Sequence, residues 1–214
     1  MTNLILLRHG ETEYNRDKRM TGMADAMLTQ KGKDEAIALG ELLEDFNIDK
    51  AYASTLTRSF NTAAKALNAS KRHYGMPVEA RSEIVEQCVG DFTGVRKADR
   101  KEVVTKERTF DTCLPNGETF REVVARVGKF YEEELKPRLE KGEDVMVSCH
   151  SGVMRAFKYY LGAVNEKEAF EIKVPNAQPW VVEHDGSGNI SKHYDMPLPQ
   201  TPRNDNKAPK PSRR

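Results

Sequence analysis

Two short apolar runs in this chain end in the same way, and this shared ending constrains the fold more than any other feature. The run at Asn3–Leu7 leads into Arg-His-Gly and the run at Asp144–Cys149 leads into His-Ser-Gly, so His9 and His150 each follow a predicted strand. Continuous apolar runs of this length are typical of parallel strands that are covered on both faces. Ligands of open α/β sheets bind at the carboxyl ends of the strands. The sequence therefore predicts that His9 and His150 lie at one pocket.

Predicted strands and helices alternate along the rest of the chain. Apolar side chains recur with helical spacing at about residues 29–46, 56–67, 120–131 and 153–161, and weaker extended segments lie at residues 50–53 and after Pro77. Thr29 and the capping box of Thr119 and Glu122 mark two helix starts, and Pro137 is expected to kink or end the helix before it. QPWVVEH and NISKHY flank DGSGN, which predicts an antiparallel hairpin at a sheet edge. This alternation predicts an α/β fold, a three-layer α/β/α sandwich with a mainly parallel central sheet.

One domain is expected over residues 1–196, followed by a tail. Residues 88–118 are rich in charges and weakly periodic, which predicts a small cap insertion in this domain. Residues 197–214 contain five of the ten prolines, several Lys and Arg, and almost nothing apolar. This basic Pro-rich tail is predicted to be disordered and solvated, and the alternative is a tail that folds over an anionic ligand.

The charge balance argues against two classes of partner. Lys and Arg total 34 against 33 Asp and Glu, which gives no reason to expect nucleic acid or a membrane as partner. No stretch is long and apolar enough to span a bilayer, the N-terminus lacks the features of a signal peptide, and a cytoplasmic location is expected. Cys88, Cys113 and Cys149 are odd in number and lack metal-type spacing, which predicts reduced thiols. The formation of a homo-oligomer stays an open alternative.

Two arginines are candidates to accompany the histidines. Arg8 directly precedes the first histidine, and Arg58 lies near the start of a predicted helix, where free N–H groups favour anions. Two guanidinium groups can bind a phosphoryl group and spread its charge. Asn15, Thr21 and Gly22 add neutral donors in the following loop. These residues together indicate a small phosphorylated ligand.

Four segments of the chain resemble one enzyme family. RHGETEYN, STLTRSFNTA, EIVEQCVGDFTG and VSCHSGVMR occur in the order and spacing of the histidine phosphatase superfamily, which includes the cofactor-dependent phosphoglycerate mutases. The resemblance extends from about Asn3 to Tyr194 and implies a phosphoglycerate mutase-like domain that needs no metal. In such a domain His9 is the nucleophile and forms a phosphohistidine. The implied phosphate pocket consists of Arg8, Asn15, Arg58 and His150.

The family also uses a carboxylic acid that protonates the leaving oxygen. Glu83 and Glu86 compete for this role, and the family's spacing of a glutamate and a following glycine matches Glu86 and Gly90. The resemblance therefore favours Glu86 as the general acid. Glu11 is a candidate for a supporting role, whereas Cys149 is expected to pack within its strand.

Several stretches resemble the mutase branch of the family in particular. They are KERTFD, LPNGET, LKPRLEKGEDVMVSCH, RAFKYYLG and IKVPNAQPWVVEHD. Lys97 and Arg108 also occupy the places of mutase residues that bind substrate. If the enzyme is a mutase, the resemblance implies 2,3-bisphosphoglycerate as phosphoryl donor.

Other positions depart from the mutase pattern. Val89 stands where mutases have a substrate tyrosine, and Glu107 replaces an arginine. Ser151, a further candidate for substrate binding, and Gly152 stand where mutases usually have Gly-Asn. These departures favour the alternative of a histidine phosphatase that hydrolyses small phosphometabolites.

Two other classes of protein stay open. A metal hydrolase could use His9, His150 and nearby carboxylates, but the chain lacks a close-spaced pair of the HExxH type, and arginines would repel a cation. A non-catalytic protein that binds a phosphorylated ligand could keep the same residues. A phosphatase assay with a His9 variant would separate this last class from an enzyme.

Overall fold

A computed structural model of the protein describes residues 1–99, 109–185 and 189–198. Its strands are β1 (Thr2–Arg8), β2 (Ile48–Ser54), β3 (Val78–Arg81), β4 (Asp144–Cys149), β5 (Pro179–His184) and β6 (Ile190–Asp195). Within the described ranges these strands form one sheet in the order β3-β2-β4-β1-β5-β6. The strands from β3 to β1 are parallel, while β5 and β6 form the predicted antiparallel hairpin at one edge. The prediction of a mainly parallel sheet is confirmed.

Helices cover both faces of this sheet and complete the three-layer α/β/α sandwich. They are α1 (Glu13–Arg16), α2 (Gln30–Leu43), α3 (Thr57–Ala69), α4 (Phe120–Phe130), α5 (Lys136–Glu140), α6 (Ser151–Tyr160) and α7 (Glu166–Glu171). The side chains of Ile5 and Leu7 pack with α2 and α3, whereas Leu4 and Leu6 pack with α4 and α6. Each of these four side chains is fully buried, which stabilises the fold by about 2 kcal/mol per residue. Because β1 alternates between two cores, its apolar run is continuous.

Capping residues begin two of the helices as the sequence predicted. Oγ1 of Thr29 accepts from the N–H of Gly32 at 3.0 Å, and Thr119 and Glu122 form the reciprocal bonds of a capping box. The expected extension of α2 to Phe46 is wrong, because the helix ends at Leu43. The chain turns there and buries the Phe46 ring in the core next to α2 and α3.

The sequence predicts that Pro137 kinks or ends the helix before it. The helical segment continues to Glu140, so Pro137 does not end it, and the kink at Pro137 stays a prediction. A wider π-helical turn at Tyr131–Leu135 precedes it, and Pro137 falls in the first turn of α5, where a missing N–H is tolerated. The helix predicted from residue 153 also starts earlier, at Ser151, because His150 is already its N-cap.

Hydrogen bonds join the two ends of the predicted insertion to each other. Asp91 N–H donates to the carbonyl of Pro115 at 3.1 Å, and Glu118 N–H donates to the carbonyl of Cys88 at 2.9 Å. Residues 100–108 and 199–214 lie outside the described residues, so the boundaries of the insertion and of the tail stay predictions. Among the residues that the structure describes, no helix is long and apolar enough to cross a membrane.

Candidate active site

His9 and His150 lie side by side at the carboxyl ends of β1 and β4. These strands are parallel neighbours in which Arg8 pairs with Cys149, and the N–H of His9 donates to the carbonyl of Cys149 at 3.1 Å. The centres of the two imidazole rings are 5.1 Å apart, and both side chains are almost fully buried. The structure thus brings together the two histidines that the matched strand endings had singled out.

Hydrogen bonds define the protonation state of His9. Its Nδ1 lies 2.7 Å from the carbonyl oxygen of Gly10, which can only accept, so Nδ1 carries the ring proton. Its Nε2 accepts from the Nε–H of Arg58 at 3.2 Å and therefore keeps its lone pair. Burial lowers the pKa of His9 well below its usual value, and the charges of Arg8 and Arg58 lower it further. His9 is therefore a neutral imidazole with its lone pair on Nε2.

Two guanidinium groups flank this imidazole. Arg58 is buried near the start of α3 and donates to two loop carbonyls, including that of Gly22 at 2.8 Å. Arg8 donates to the carbonyl of Val174 at 2.6 Å, and its buried Nε has no partner among the described residues. Burial lowers the pKa of both arginines, but a guanidinium group keeps its charge in a protein. The pocket thus holds two fixed positive charges beside a neutral nitrogen base.

Both ring nitrogens of His150 are buried and have no hydrogen-bond partner within the described ranges. Because buried polar atoms are nearly always paired in folded proteins, unpaired atoms next to two arginines indicate a ligand site. Burial lowers the pKa of His150 well below its usual value, and the charge of Arg58 lowers it further. The start of α6, with Ser151 and Gly152, lines the same cleft. This set of groups suits a phosphate-like anion.

A cleft of about 530 Å³ opens in front of His9. Among the residues that the structure describes, its wall includes six basic side chains and one acidic side chain. The basic residues are Arg8, Arg19, Arg58, Lys97, Arg155 and Lys173, and the acidic residue is Glu86. This excess of positive charge favours anionic ligands and draws them toward the cleft.

The two glutamates that competed for the role of general acid lie in different surroundings. Oε1 of Glu86 accepts from the backbone N–H of Gln87 at 2.9 Å and of Gly152 at 3.0 Å, and Glu86 lines the cleft. Glu83 instead pairs with Arg81 at 2.8 Å and is absent from the cleft wall. The geometry therefore places Glu86, and not Glu83, within reach of a ligand.

The candidate substrate-binding residues are distributed unevenly. Those that line the cleft are Asn15, Thr21, Gly22, Lys97 and Ser151, together with Val89 from the mutase comparison. Arg108 and Glu107 lie outside the described residues. Glu11 is absent from the cleft wall, and its carboxylate pairs with Lys31 at 2.9 Å. Cys149 is fully buried in β4, where burial raises the pKa of its thiol.

Several residues of the site were not identified from the sequence. They are Arg19, Gln87, Arg155, Lys173 and Asn176. Arg155 lies one helical turn after Ser151 on α6, and this spacing could have identified it. Asn176, in the loop between α7 and β5, donates to the carbonyl of His9 at 2.9 Å, and no pattern in the sequence links these two residues.

No group of three or more His, Cys, Asp or Glu side chains in the described part of the chain is arranged to hold a metal ion. The groups that face the cleft are mainly cationic or neutral donors, which are poor ligands for a metal ion.

Paired histidines and arginines at the carboxyl edge of a mainly parallel sheet form a positively charged site that suits a phosphate-like anion. The sequence profile of the histidine phosphatase superfamily (branch 1) matches residues 4–196, and the chain belongs to this family. Because members of the superfamily are mutases and phosphatases, the protein is an enzyme.

Relatives in sequence and neighbours in structure carry different activities. The chain is 31% identical to the 2,3-bisphosphoglycerate-dependent phosphoglycerate mutase of Corynebacterium jeikeium, over 88% of this chain and 86% of the mutase. A mycobacterial glucosyl-3-phosphoglycerate phosphatase shares the fold with a TM-score of 0.78 at 23% identity, over 91% of this chain and 97% of that one. The alpha-ribazole phosphatase of Shigella flexneri has a TM-score of 0.72 at 25% identity, over 87% of this chain and 92% of that one. The similarity therefore includes both activities of the family.

Proposed function

We propose that this enzyme transfers the phosphoryl group of small phosphomonoesters through a phosphohistidine at His9. The observation that carries the proposal is a neutral Nε2 with its lone pair, beside Arg8 and Arg58 in a positive cleft. Attack by Nε2 on phosphorus forms an N–P bond and breaks the P–O bond to the leaving alcohol. The two guanidinium groups and His150 would bind the phosphoryl oxygens and stabilise their charge in the transition state.

Glu86 is the proposed source of the proton for the leaving oxygen. Its Oε1 accepts from two backbone N–H groups, which leaves Oε2 to carry the proton. A proton transfer of this kind typically accelerates a reaction ~10²–10⁴-fold. In the second half of the reaction, the Glu86 carboxylate takes a proton from the group that attacks the phosphohistidine, an alcohol in a mutase or water in a phosphatase.

The proposed substrate is a small phosphorylated acid of the phosphoglycerate type. Arg8 and Arg58 are enough to balance a phosphate dianion, and Lys97, Arg155 and Lys173 line the same cleft. These further cations would attract a second acidic group of the substrate. The mutase relatives are phosphoglycerate mutases, and the mycobacterial fold neighbour is a glucosyl-3-phosphoglycerate phosphatase. Both therefore act on a phosphoglycerate or its derivative, which supports this substrate class.

The enzyme is proposed to isomerise such an acid with 2,3-bisphosphoglycerate as phosphoryl donor. It is also proposed to hydrolyse the phosphate ester of the same acid. The sequence relatives support the mutase reaction. Val89 supports hydrolysis, because this apolar side chain lines the cleft where a mutase tyrosine would hold substrate and exclude water. Gly152 is a second departure from the mutase pattern, and it lines the cleft beside Glu86. A Cβ atom there would lie 2.6 Å from Oε1 of Glu86, so an asparagine at this place would displace the carboxylate.

The test mixes the protein with 3-phosphoglycerate and catalytic 2,3-bisphosphoglycerate, and follows 2-phosphoglycerate and free phosphate together. We expect both products. Isomerisation with negligible phosphate release would refute the hydrolytic part. Phosphate release without isomerisation would refute the mutase part and support the second candidate, a histidine phosphatase for small phosphometabolites. Binding without either product would refute phosphoglycerates as the substrate class.

A further inference from the structure

The peptide group between Gly10 and Glu11 joins His9 to a carboxylate on α2. Its carbonyl oxygen accepts the Nδ1 proton of His9 at 2.7 Å, and its N–H donates to Oε2 of Glu35 at 2.8 Å. The peptide is trans and planar, so its C=O and N–H groups point in opposite directions within one rigid plane. Glu35 therefore reaches His9 through a single peptide group.

Helix α2 can approach this peptide because two glycines face each other. A Cβ atom on Gly10 would collide with the carbonyl oxygen of Gly32, and a Cβ atom on Gly32 would collide with the carbonyl oxygen of Glu11. The N–H of Thr29 donates to that same Glu11 carbonyl at 2.9 Å. The start of α2 is thus held directly against the segment that follows His9, and Glu35 lies in the second turn of this helix.

The preceding peptide group is held by other residues. The N–H of Gly10 donates to Oγ1 of Thr62 at 3.0 Å, and the carbonyl of His9 accepts from Asn176 at 2.9 Å. Among the described residues, only Glu35 binds the N–H of the Gly10–Glu11 peptide through its side chain. Removing the Glu35 carboxylate would therefore loosen this peptide and leave the preceding one in place.

The Glu35 carboxylate is largely shielded from solvent. The side chain is 13% exposed, and the ammonium of Lys31 lies 3.6 Å from Oε1, whereas Lys31 binds Glu11 more closely at 2.9 Å. Lys31 is mostly exposed, so solvent screens its effect. The Glu35 carboxylate therefore keeps much of its influence on the peptide that it binds.

We propose that Glu35 is a positioning residue for His9. Its carboxylate holds and polarises the Gly10–Glu11 peptide, so that the carbonyl keeps the ring proton on Nδ1 and the lone pair on Nε2. When Nε2 attacks, the N–P bond forms, the ester P–O bond breaks and Glu86 protonates the leaving oxygen. The Nδ1 proton stays on the ring, which becomes positive, and the polarised carbonyl stabilises that charge. This inference rests on the proposed phosphohistidine chemistry.

The test compares Glu35→Leu, Glu35→Gln and a control, Glu41→Leu, which removes an exposed carboxylate from the same helix. Activity is measured as kcat and KM, and the tautomer of His9 is read from the ¹⁵N NMR signals of its ring without substrate. We expect Glu35→Leu to lower kcat about 10- to 100-fold, with KM nearly constant, and to populate the Nε2–H tautomer. Glu35→Gln keeps an acceptor and should stay within about threefold of wild type. Glu41→Leu should leave kcat, KM and the tautomer of His9 unchanged.

A wild-type nitrogen pattern in folded Glu35→Leu protein would overturn the proposal, whatever its activity. A changed pattern with normal kcat would overturn the catalytic part. If Glu35→Leu does not fold, Glu35→Ala serves the same comparison. Because the NMR measurement needs no substrate, a protein that forms no phosphohistidine refutes the proposed function and still reports on the role of Glu35.

Discussion

The Nε–H of Arg58 donates to Nε2 of His9 across 3.2 Å, which joins the start of α3 to the end of β1. In this arrangement the guanidinium group occupies the lone pair that would attack phosphorus. We expect the oxygens of a bound phosphoryl group to take over this donor, because a charged acceptor binds a guanidinium more strongly than a neutral nitrogen does. Substrate binding would then free Nε2 at the moment when it is needed.

The first prediction concerns the phosphohistidine. Incubation with a labelled phosphodonor should give an adduct that is labile in acid and stable in base, as N-phosphorylated histidine is. The His9→Ala protein should remain unlabelled because it lacks Nε2. The control His193→Ala removes an exposed histidine of β6 and should label like wild type. Equal labelling of His9→Ala would assign the adduct to another residue.

The second prediction concerns the general acid. Alkoxide leaving groups need a proton, whereas p-nitrophenolate hardly does, so Glu86→Gln should slow alkyl phosphates far more than p-nitrophenyl phosphate. The expected loss on alkyl phosphates is ~10²–10⁴-fold in kcat. Glu83→Gln is the matched control, because its carboxylate pairs with Arg81 away from the cleft. Equal losses on both substrates would exclude Glu86 from this role.

The third prediction concerns metal ions. Arg8 and Arg58 supply positive charge of the kind that a catalytic metal would supply, so activity should survive exhaustive treatment with EDTA. Vanadate, which can mimic five-coordinate phosphorus, should inhibit competitively. Activity that EDTA abolishes and one divalent ion restores would support a metal hydrolase instead.

The fourth prediction concerns Arg155. This residue lines the cleft, and its buried Nε has no partner among the described residues, so we expect it to bind a second anionic group of the substrate. Arg155→Met should raise KM for 3-phosphoglycerate about 10-fold, through loss of a hydrogen bond to a charged group. KM for p-nitrophenyl phosphate should stay nearly constant because it lacks that group. Arg121→Met, which removes an exposed arginine of α4, is the control. An equal rise in KM for both substrates would indicate that Arg155 binds the transferred phosphate group instead.

The fifth prediction concerns stability against pH. Burial lowers the pKa of His9, His73, His150 and His184, so the unfolded chain takes up protons near pH ~6.5 before the folded protein does. The free energy of unfolding should therefore be highest above this pH and should fall as pH drops below it. Each histidine contributes a slope of up to about 1.4 kcal/mol per pH unit, until its folded pKa is reached. Urea unfolding between pH 7.5 and 5 measures this slope.

The variant His73→Gln isolates the contribution of His73 to the pH dependence of the free energy of unfolding. Nε2 of His73 accepts from the N–H of Ile48 at 3.3 Å, and a glutamine could replace it as acceptor without titrating. His73→Gln should therefore reduce the slope between pH ~6.5 and 5. An unchanged slope in His73→Gln would show that His73 titrates alike in both states.

The sequence by itself determined which segments form the sheet and which two histidines form the central pair of the site. The runs before His9 and His150 predicted buried strands because their side chains fill cores on both faces, and adjacent parallel strands bring their carboxyl ends to one edge. Caps such as Thr29 and Thr119 were readable because their hydrogen bonds span only three residues. The family resemblance added Glu86, which periodicity alone could not distinguish from Glu83.

Only the tertiary structure decided which distant groups complete the site. The loop between α7 and β5 folds back onto the end of β1, so Asn176 binds the carbonyl of His9 and Lys173 lines the cleft. Loop paths leave no periodic signal in a sequence. Glu35 binds the peptide after His9 because Gly10 and Gly32 allow α2 to approach it, although 24 residues separate Glu35 from Glu11. The tautomer of His9 depends on such contacts as well. Local sequence encodes the short-range bonds of helices and strands, whereas these contacts exist only once the two cores have packed.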